Sequence, residues 1–225
     1  MTNSSTEQLT ADVLRAQKDR MGGTCPGNLD LRVHRAISWI RRAEMAHDDP
    51  DIAFICYWIA FNAAYAEDTS DTSETPERAL FEGYFEKILR LDTDGVIYKA
   101  IWDRFSGPVR VLLENRFVFQ PFWKHHNEVS GNSDWKVRFE SAQALIGKAL
   151  VNQDTSLILA MLFDRLYVLR NQILHGGATW NSSVNRSQVR DGAAIMGFLV
   201  PTFAGVMLDH PEELWGANYY PVVTT

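Results

Sequence analysis

Apolar residues along this chain recur three and four positions apart, and no stretch shows the period-two alternation of a half-buried strand or an Asn-Gly hairpin. The pattern predicts an all-α fold, a helical bundle. Asp30 is placed to cap a helix running to about residue 47, with Leu31, His34, Ile37, Trp39, Ile40 and Ala43 on or near one side. Asp49-Pro50-Asp51 restarts the chain into residues 52–66, apolar on every side and so expected at the centre. Residues 66–77 carry five acids and no base. By composition they read as an exposed loop, with 67–75 mobile and dispensable.

Thr75-Pro76-Glu77 is a helix start, with proline at the first helical position, and predicts a helix to about residue 91 and another over 93–105. Gly107-Pro108 is expected to break the chain before a short helix ending at Asn115. Residues 116–132 are aromatic and irregular; Ser133-Asp134 then caps a helix to about residue 151. Asp154 or Thr155 opens a helix to about His175, which Gly176-Gly177 terminates. A polar loop over 180–187 leads to a last helix over about 188–208, where Pro201 should introduce a kink. The tail from Pro211 holds Trp215, Tyr219 and Tyr220 and is expected to pack. Without repeats or a linker, the chain reads as one helical domain over residues 1–225 with an inserted helical lobe at 76–151.

Composition changes this picture little. At 225 residues and 46% hydrophobic, the chain can bury a substantial core. Its net charge of -6 excludes a global basic field for nucleic acid, though not a local basic site. Cys25 and Cys56 lack metal-ligand spacing and read as reduced thiols, Cys56 as a core residue. The first residues lack a signal pattern, and the apolar runs at 52–66 and 192–208 fall short of the about 20 residues a span needs. A cytoplasmic protein with no membrane association is expected.

Most catalytic signatures are missing: no phosphate-binding Gly-rich loop, no His-Glu-x-x-His, no Gly-x-Ser-x-Gly, no Cys-x-x-Cys. No metal and no cofactor is called for. What remains is Arg170-Asn171-x-x-x-His175 at a helix end before two glycines. Arg165, Arg170, Arg186 and Arg190 follow one another without an intervening acid, as do Arg32, Arg35, Arg41 and Arg42. Packed together, the two groups would form a local basic surface; the plainer reading, preferred for Arg32 to Arg42, is a solvated helix face. His125-His126 beside Trp123 would bind a metal or stack a base, against a plainer structural or solvated role. Asn62 in an apolar helix suits a hydrogen bond across the bundle that orients the motif helix. Trp39, Trp58 and Phe61 sit at core spacings, and His34 and His47 stand alone.

The Arg170-Asn171-x-x-x-His175 segment resembles the Arg-polar-x-x-x-His signature of the HEPN superfamily, the higher-eukaryote-and-prokaryote nucleotide-binding domains. Ala36-Ile-Ser-Trp-Ile-Arg-Arg-Ala-Glu44 and Tyr57-Trp-Ile-Ala-Phe-Asn-Ala-Ala-Tyr65 are similar to the bacterial branch that includes ApeA-type defence proteins. The resemblance implies a helical bundle, commonly dimeric, and a metal-independent endoribonuclease of anti-phage defence or toxin–antitoxin systems. Arg170 and His175 would be catalytic, with Asn171 supporting them. RNA, a second copy of the chain and an antitoxin or defence-system component would be the partners. Arg165, Arg186 and Arg190 are further candidates for nucleic-acid contacts.

The chemistry has its own logic. Cutting RNA without a metal requires taking the proton of the 2′-OH and stabilising charge on the phosphate oxygens. Histidine ordinarily titrates at about 6.5 and exchanges protons near neutrality, while arginine grips two phosphate oxygens at once. Five residues of helix rotate by about 500°, which leaves Arg170 and His175 about 140° apart, whereas Asn171 and His175 share a face. Either the helix loosens at Gly176, or two chains each contribute to one composite cleft. The uncharged run at residues 157–163 is a candidate dimer surface. Two other readings remain: a catalytically silent HEPN module that binds nucleotide, nucleic acid or a partner protein, and a helical subunit whose Arg170 and His175 are structural, through carbonyl capping and the helix dipole.

Overall fold

The computed structural model describes residues 8–22, 25–66, 77–127, 134–218 and 220, the side chains of 77–80 excepted. Among them the chain is all α, a helical bundle without strands. The helices are α1 (Ala11–Met21), α2 (Gly27–Glu44), α3 (Pro50–Tyr65), α4 (Glu77–Leu91) and α5 (Val96–Lys99), which runs into a π-helical turn at Ala100–Arg104. Next come α6 (Ser106–Glu114), a 3-10 turn at Arg116–Val118, α7 (Gln120–His126), α8 (Trp135–Asn152), α9 (Thr155–Leu174) and α10 (Arg186–Asp209). The acidic loop expected at 67–75, the Thr75-Pro76 start of α4, Ser133 and Tyr219 lie outside the described residues.

Side-chain caps set several boundaries. Asp49 accepts from the N–H groups of Asp51 and Ile52 at 3.1 and 3.2 Å, and Asp154 accepts from Leu157 N–H at 3.0 Å. The Asp92 carboxylate takes the first free donors of α5, Val96 and Ile97, so that helix begins later than residue 93. Gly107-Pro108 falls inside the first turn of α6 rather than before it, where a proline costs no helix bond.

Helix α3 is central, as its all-round apolarity predicts, packing on α2, α9 and α10. The Phe61 ring meets Phe81, Phe85, Phe163 and Phe203 at centroid distances of 4.5 to 6.3 Å, joining α3, α4, α9 and α10 in one aromatic core. Trp58, Phe61 and Cys56 are buried as expected, but Trp39 is 38% exposed, on the outer side of α2. The inward face of α2 is instead Leu29, Val33, Ala36, Ile37, Ile40 and Ala43. The run proposed as a dimer surface on α9 is consumed at home: residues 158 to 163 are all buried in this chain.

The stretch 76–151 divides. Phe81, Phe85, Ile101 and Leu112 belong to the main core, whereas Phe119, Phe122 and Trp135 form a small separate cluster. The part that stands apart is therefore limited to α7 and the start of α8.

Helix α10 continues through Pro201. Proline leaves the Gly197 carbonyl without its helix donor, and the Gln8 side-chain amide supplies one at 2.9 Å. A Cβ at Gly197 would stand 3.0 Å from the Tyr57 ring, so the missing side chain lets α10 lie close to α3. By length and composition α10 could cross a membrane, but 83% of its apolar stretch is buried in the bundle, which accounts for its hydrophobicity.

The basic surface considered on α2 is largely dismantled, and the solvated face preferred there does not hold for Arg32. Arg32 is 1% exposed and donates to the carbonyls of Ala64, Ala66 and Ala217 at 3.0, 2.8 and 2.6 Å. Arg35 donates to Tyr220 O, and Arg41 pairs with Asp12. Arg32 thus fastens the end of α3 and the C-terminal tail to α2. The tail packs further through Trp215, 5% exposed, whose Nε1 donates to His210 O, and through Lys87, which donates to Leu214 O.

Candidate functional site

The motif lies at the C-terminal end of α9. His175 N–H donates to Asn171 O at 2.9 Å, so the helix keeps its regular pitch up to His175. Gly176 N–H then reaches Ile173 O, and Gly177 N–H reaches Gln172 O at 2.7 Å. This crossed pair is a Schellman cap, and each glycine is required. Gly176 has φ +71, and a Cβ on Gly177 would meet Gln172 O at 3.0 Å. The loosening considered at Gly176 therefore begins only beyond the histidine.

A regular helix fans the motif out. Arg170 lines a cleft of about 640 Å³ between α2, α3 and α9, shared with Arg35, Trp39, Asn62 and Tyr167. Asn171, one position on, lines a different cleft of about 610 Å³ between α7, α9 and the start of α10. His175 is exposed on the cap and lines neither cleft. Arg170 and Asn171 are nevertheless joined, because Arg170 Nη1 donates to Asn171 Oδ1 at 2.8 Å. The Arg170 guanidinium also stands 6.0 Å from the Trp58 ring and 5.7 Å from that of Tyr167. Its Nε is buried without a hydrogen-bond partner. The head is thus oriented by one amide and two rings at the wall of the cleft.

The other candidate arginines are placed differently. Arg165 is 5% exposed, its guanidinium 4.6 Å from the Phe119 ring. Arg186 pairs with Asp51 at 2.6 Å and donates to Asn181 Oδ1, fastening the loop before α10 to the first turn of α3. Neither offers an open guanidinium edge; Arg190 is exposed. Next to Arg190, burial pushes the Asp191 carboxyl above the usual range, and the guanidinium pulls it partly back.

His125 and His126 are exposed on α7; their rings meet each other edge-on and meet Trp135 at a tilt, with centroids 5.2 to 6.3 Å apart. Among the described residues no group of three or more His, Cys, Asp or Glu is arranged to hold a metal. Asn62 lines the Arg170 cleft, but no side-chain hydrogen bond of the kind expected joins it to the motif helix among the described residues.

Sequence reading missed Tyr167 and Trp39 beside Arg170, and Gln172, Asn185 and Gln188 beside Asn171. Tyr167, three positions before Arg170, and Gln172, next to Asn171, were within reach on the same helix; the rest come together only through packing. No family model, no curated protein and no solved structure matches the chain.

Proposed function

We propose that this protein is a metal-independent endoribonuclease of HEPN type, acting as a homodimer in bacterial defence or a toxin-like role. The observation that carries the reading is the arrangement at the end of α9. Arg170 is held by Asn171 at the wall of a cleft, while His175 is exposed on the hydrogen-bonded cap. In this scheme His175 takes the proton of the 2′-OH, the 2′-oxygen attacks phosphorus, and Arg170 stabilises the charge on the phosphate oxygens. The 5′-oxygen leaves with a proton, giving a 2′,3′-cyclic phosphate and a 5′-hydroxyl.

Within one chain the two side chains diverge about the helix axis by about 140°. That favours a composite site in which Arg170 of one chain works with His175 of the other. Trp39, Ile52, Leu174 and Trp180, all exposed around the α2–α3–α9 face, supply an apolar surface for such pairing. The same divergence also favours the second reading, a silent module that binds nucleotide or a partner. Incubating the purified protein with RNA in EDTA separates the two: cleavage with cyclic phosphate ends is expected, and intact RNA with retained binding would favour the silent module.

A further inference from the structure

The cleft beside Asn171 has a chemistry the ribonuclease reading does not use. Asn171, Gln172, Asn185 and Gln188 are among its amides, and Phe117 and Trp123 are its rings. Among its described lining residues Lys124 is the one charged side chain and none is a carboxylate, although the chain as a whole is acidic. An amide carries a donor and an acceptor side by side, as does the edge of a nucleobase. A wall of amides with no fixed charge therefore suits a flat, neutral ligand rich in both, and a cation at the rim suits a phosphate attached to it. The volume, about 610 Å³, lies within the range of small-ligand pockets.

The rings are set in advance. Phe117 is 48% exposed and Trp123 36%, with no core to fill on their outer sides. Trp123 Nε1 donates to Phe117 O at 2.7 Å, and Gln172 Nε2 donates to the same carbonyl. Phe122 braces both rings edge-on, at 5.4 and 5.2 Å. Exposed aromatics held this firmly lose little freedom when a base stacks on them. The Gln172 bond ties this aromatic shelf to the motif helix, one residue after Asn171.

We propose that this cleft binds an unpaired nucleobase and, where the ribonuclease reading holds, selects the base beside the cut. The direct test is calorimetric titration of the intact protein with AMP, GMP, CMP and UMP in EDTA, without RNA. One nucleotide should bind in preference to the others. Trp123→Ala should weaken it by about tenfold or more, and Trp123→Phe, which keeps a ring, by no more than about threefold. Gln188→Ala should change the ranking of the four, and Lys124→Ala should weaken the monophosphate without weakening the nucleoside. Melting curves identify any variant that fails to fold; Gln188→Ala and Lys124→Ala then carry the test. Binding of none of the four at millimolar concentration, or binding indifferent to these substitutions, overturns the assignment. Nucleotide binding by a protein that cuts no RNA would keep the cleft and defeat the ribonuclease reading. RNA cleavage without nucleotide binding would do the reverse.

Discussion

Around Arg32 the guanidinium meets backbone carbonyls from two directions, α3 and the C-terminal tail; around Arg170 it meets one side-chain amide, two aromatic rings and an open cleft. Both arginines sit in acid-free stretches of helix within an acidic chain. The seam at Arg32 is closed, and its cation satisfies carbonyls that the end of α3 would otherwise leave without donors. The end of α9 has its carbonyls satisfied by the two glycines instead, which leaves Arg170 available for something else. Where the backbone has its own cap, an arginine held by side chains is a candidate for chemistry; where it replaces the cap, it is structural.

The largest expected effect tests the closed seam. Arg32→Ala removes the donor from three carbonyls and should lower stability by about 3 kcal/mol or more, read as a large fall in melting temperature. Arg32→Lys should recover only part, since a compact ammonium cannot span the same acceptors. A variant as stable as the parent would dissolve the contrast.

At the open end the effect should fall on activity. His175→Ala is expected to reduce RNA cleavage in EDTA by about 100-fold or more while changing stability by less than about 1 kcal/mol. Arg170→Ala should also depress cleavage, and Arg170→Lys should restore it only in part. Unchanged cleavage by folded His175→Ala protein would detach the activity from the motif.

A third measurement asks whether the divergent pair is completed by a second chain. Arg170→Ala and His175→Ala proteins, each weak alone, should regain cleavage when mixed, because a mixed dimer rebuilds one composite site. No recovery on mixing, or a strict monomer by sedimentation at micromolar concentration, would leave Arg170 and His175 without a route to each other.

Gly176→Ala should cost about 1 kcal/mol, because its Cβ meets no atom within 4 Å and only the left-handed backbone opposes it. Gly176→Asn, more tolerant of that conformation, should cost less in the same melts. A loss well beyond this would mean the cap is held by packing.

The smallest effect is electrostatic. Burial raises the carboxyls of Glu44, Asp191 and Asp209 above the usual range. A raised folded-state value favours the protonated form in the native state, so the contribution is present at low pH and lost as pH rises through the raised values. From these groups, melting temperature should rise slightly as pH falls from neutrality toward the ordinary carboxylate range. A fall over that interval that Asp191→Asn leaves unaltered would show that other carboxylates govern it.

The helices were legible because their information is local. Apolar periodicity, Asp49 and Asp154 as caps and the Gly176-Gly177 stop each act within a few residues, and α3, α8 and α9 appear close to where these signals place them. The accessibility of His175 followed from the same stop signal. Trp39 was taken for core because its spacing fits two faces of α2, and only the packing of α3 decides which face turns inward. The residues of 76–151 divide between two clusters, and an aromatic helix such as α4 carries no mark in the sequence of which one it joins.

What the sequence determined by itself was the all-α architecture, the ends of α3, α8 and α9 and the motif's angular spread, since these depend on bonds and rotations within one turn or two. Tertiary structure alone decided which arginines are structural. Arg32 takes its carbonyl partners from residues 32 to 185 positions away, and Arg186 pairs with Asp51, 135 positions away; charge alone does not encode that pairing. It also decided that Asn171 and Arg170, neighbours in the chain, face separate clefts. A helix turns by about 100° per residue, and only the neighbouring helices determine what lies in each direction.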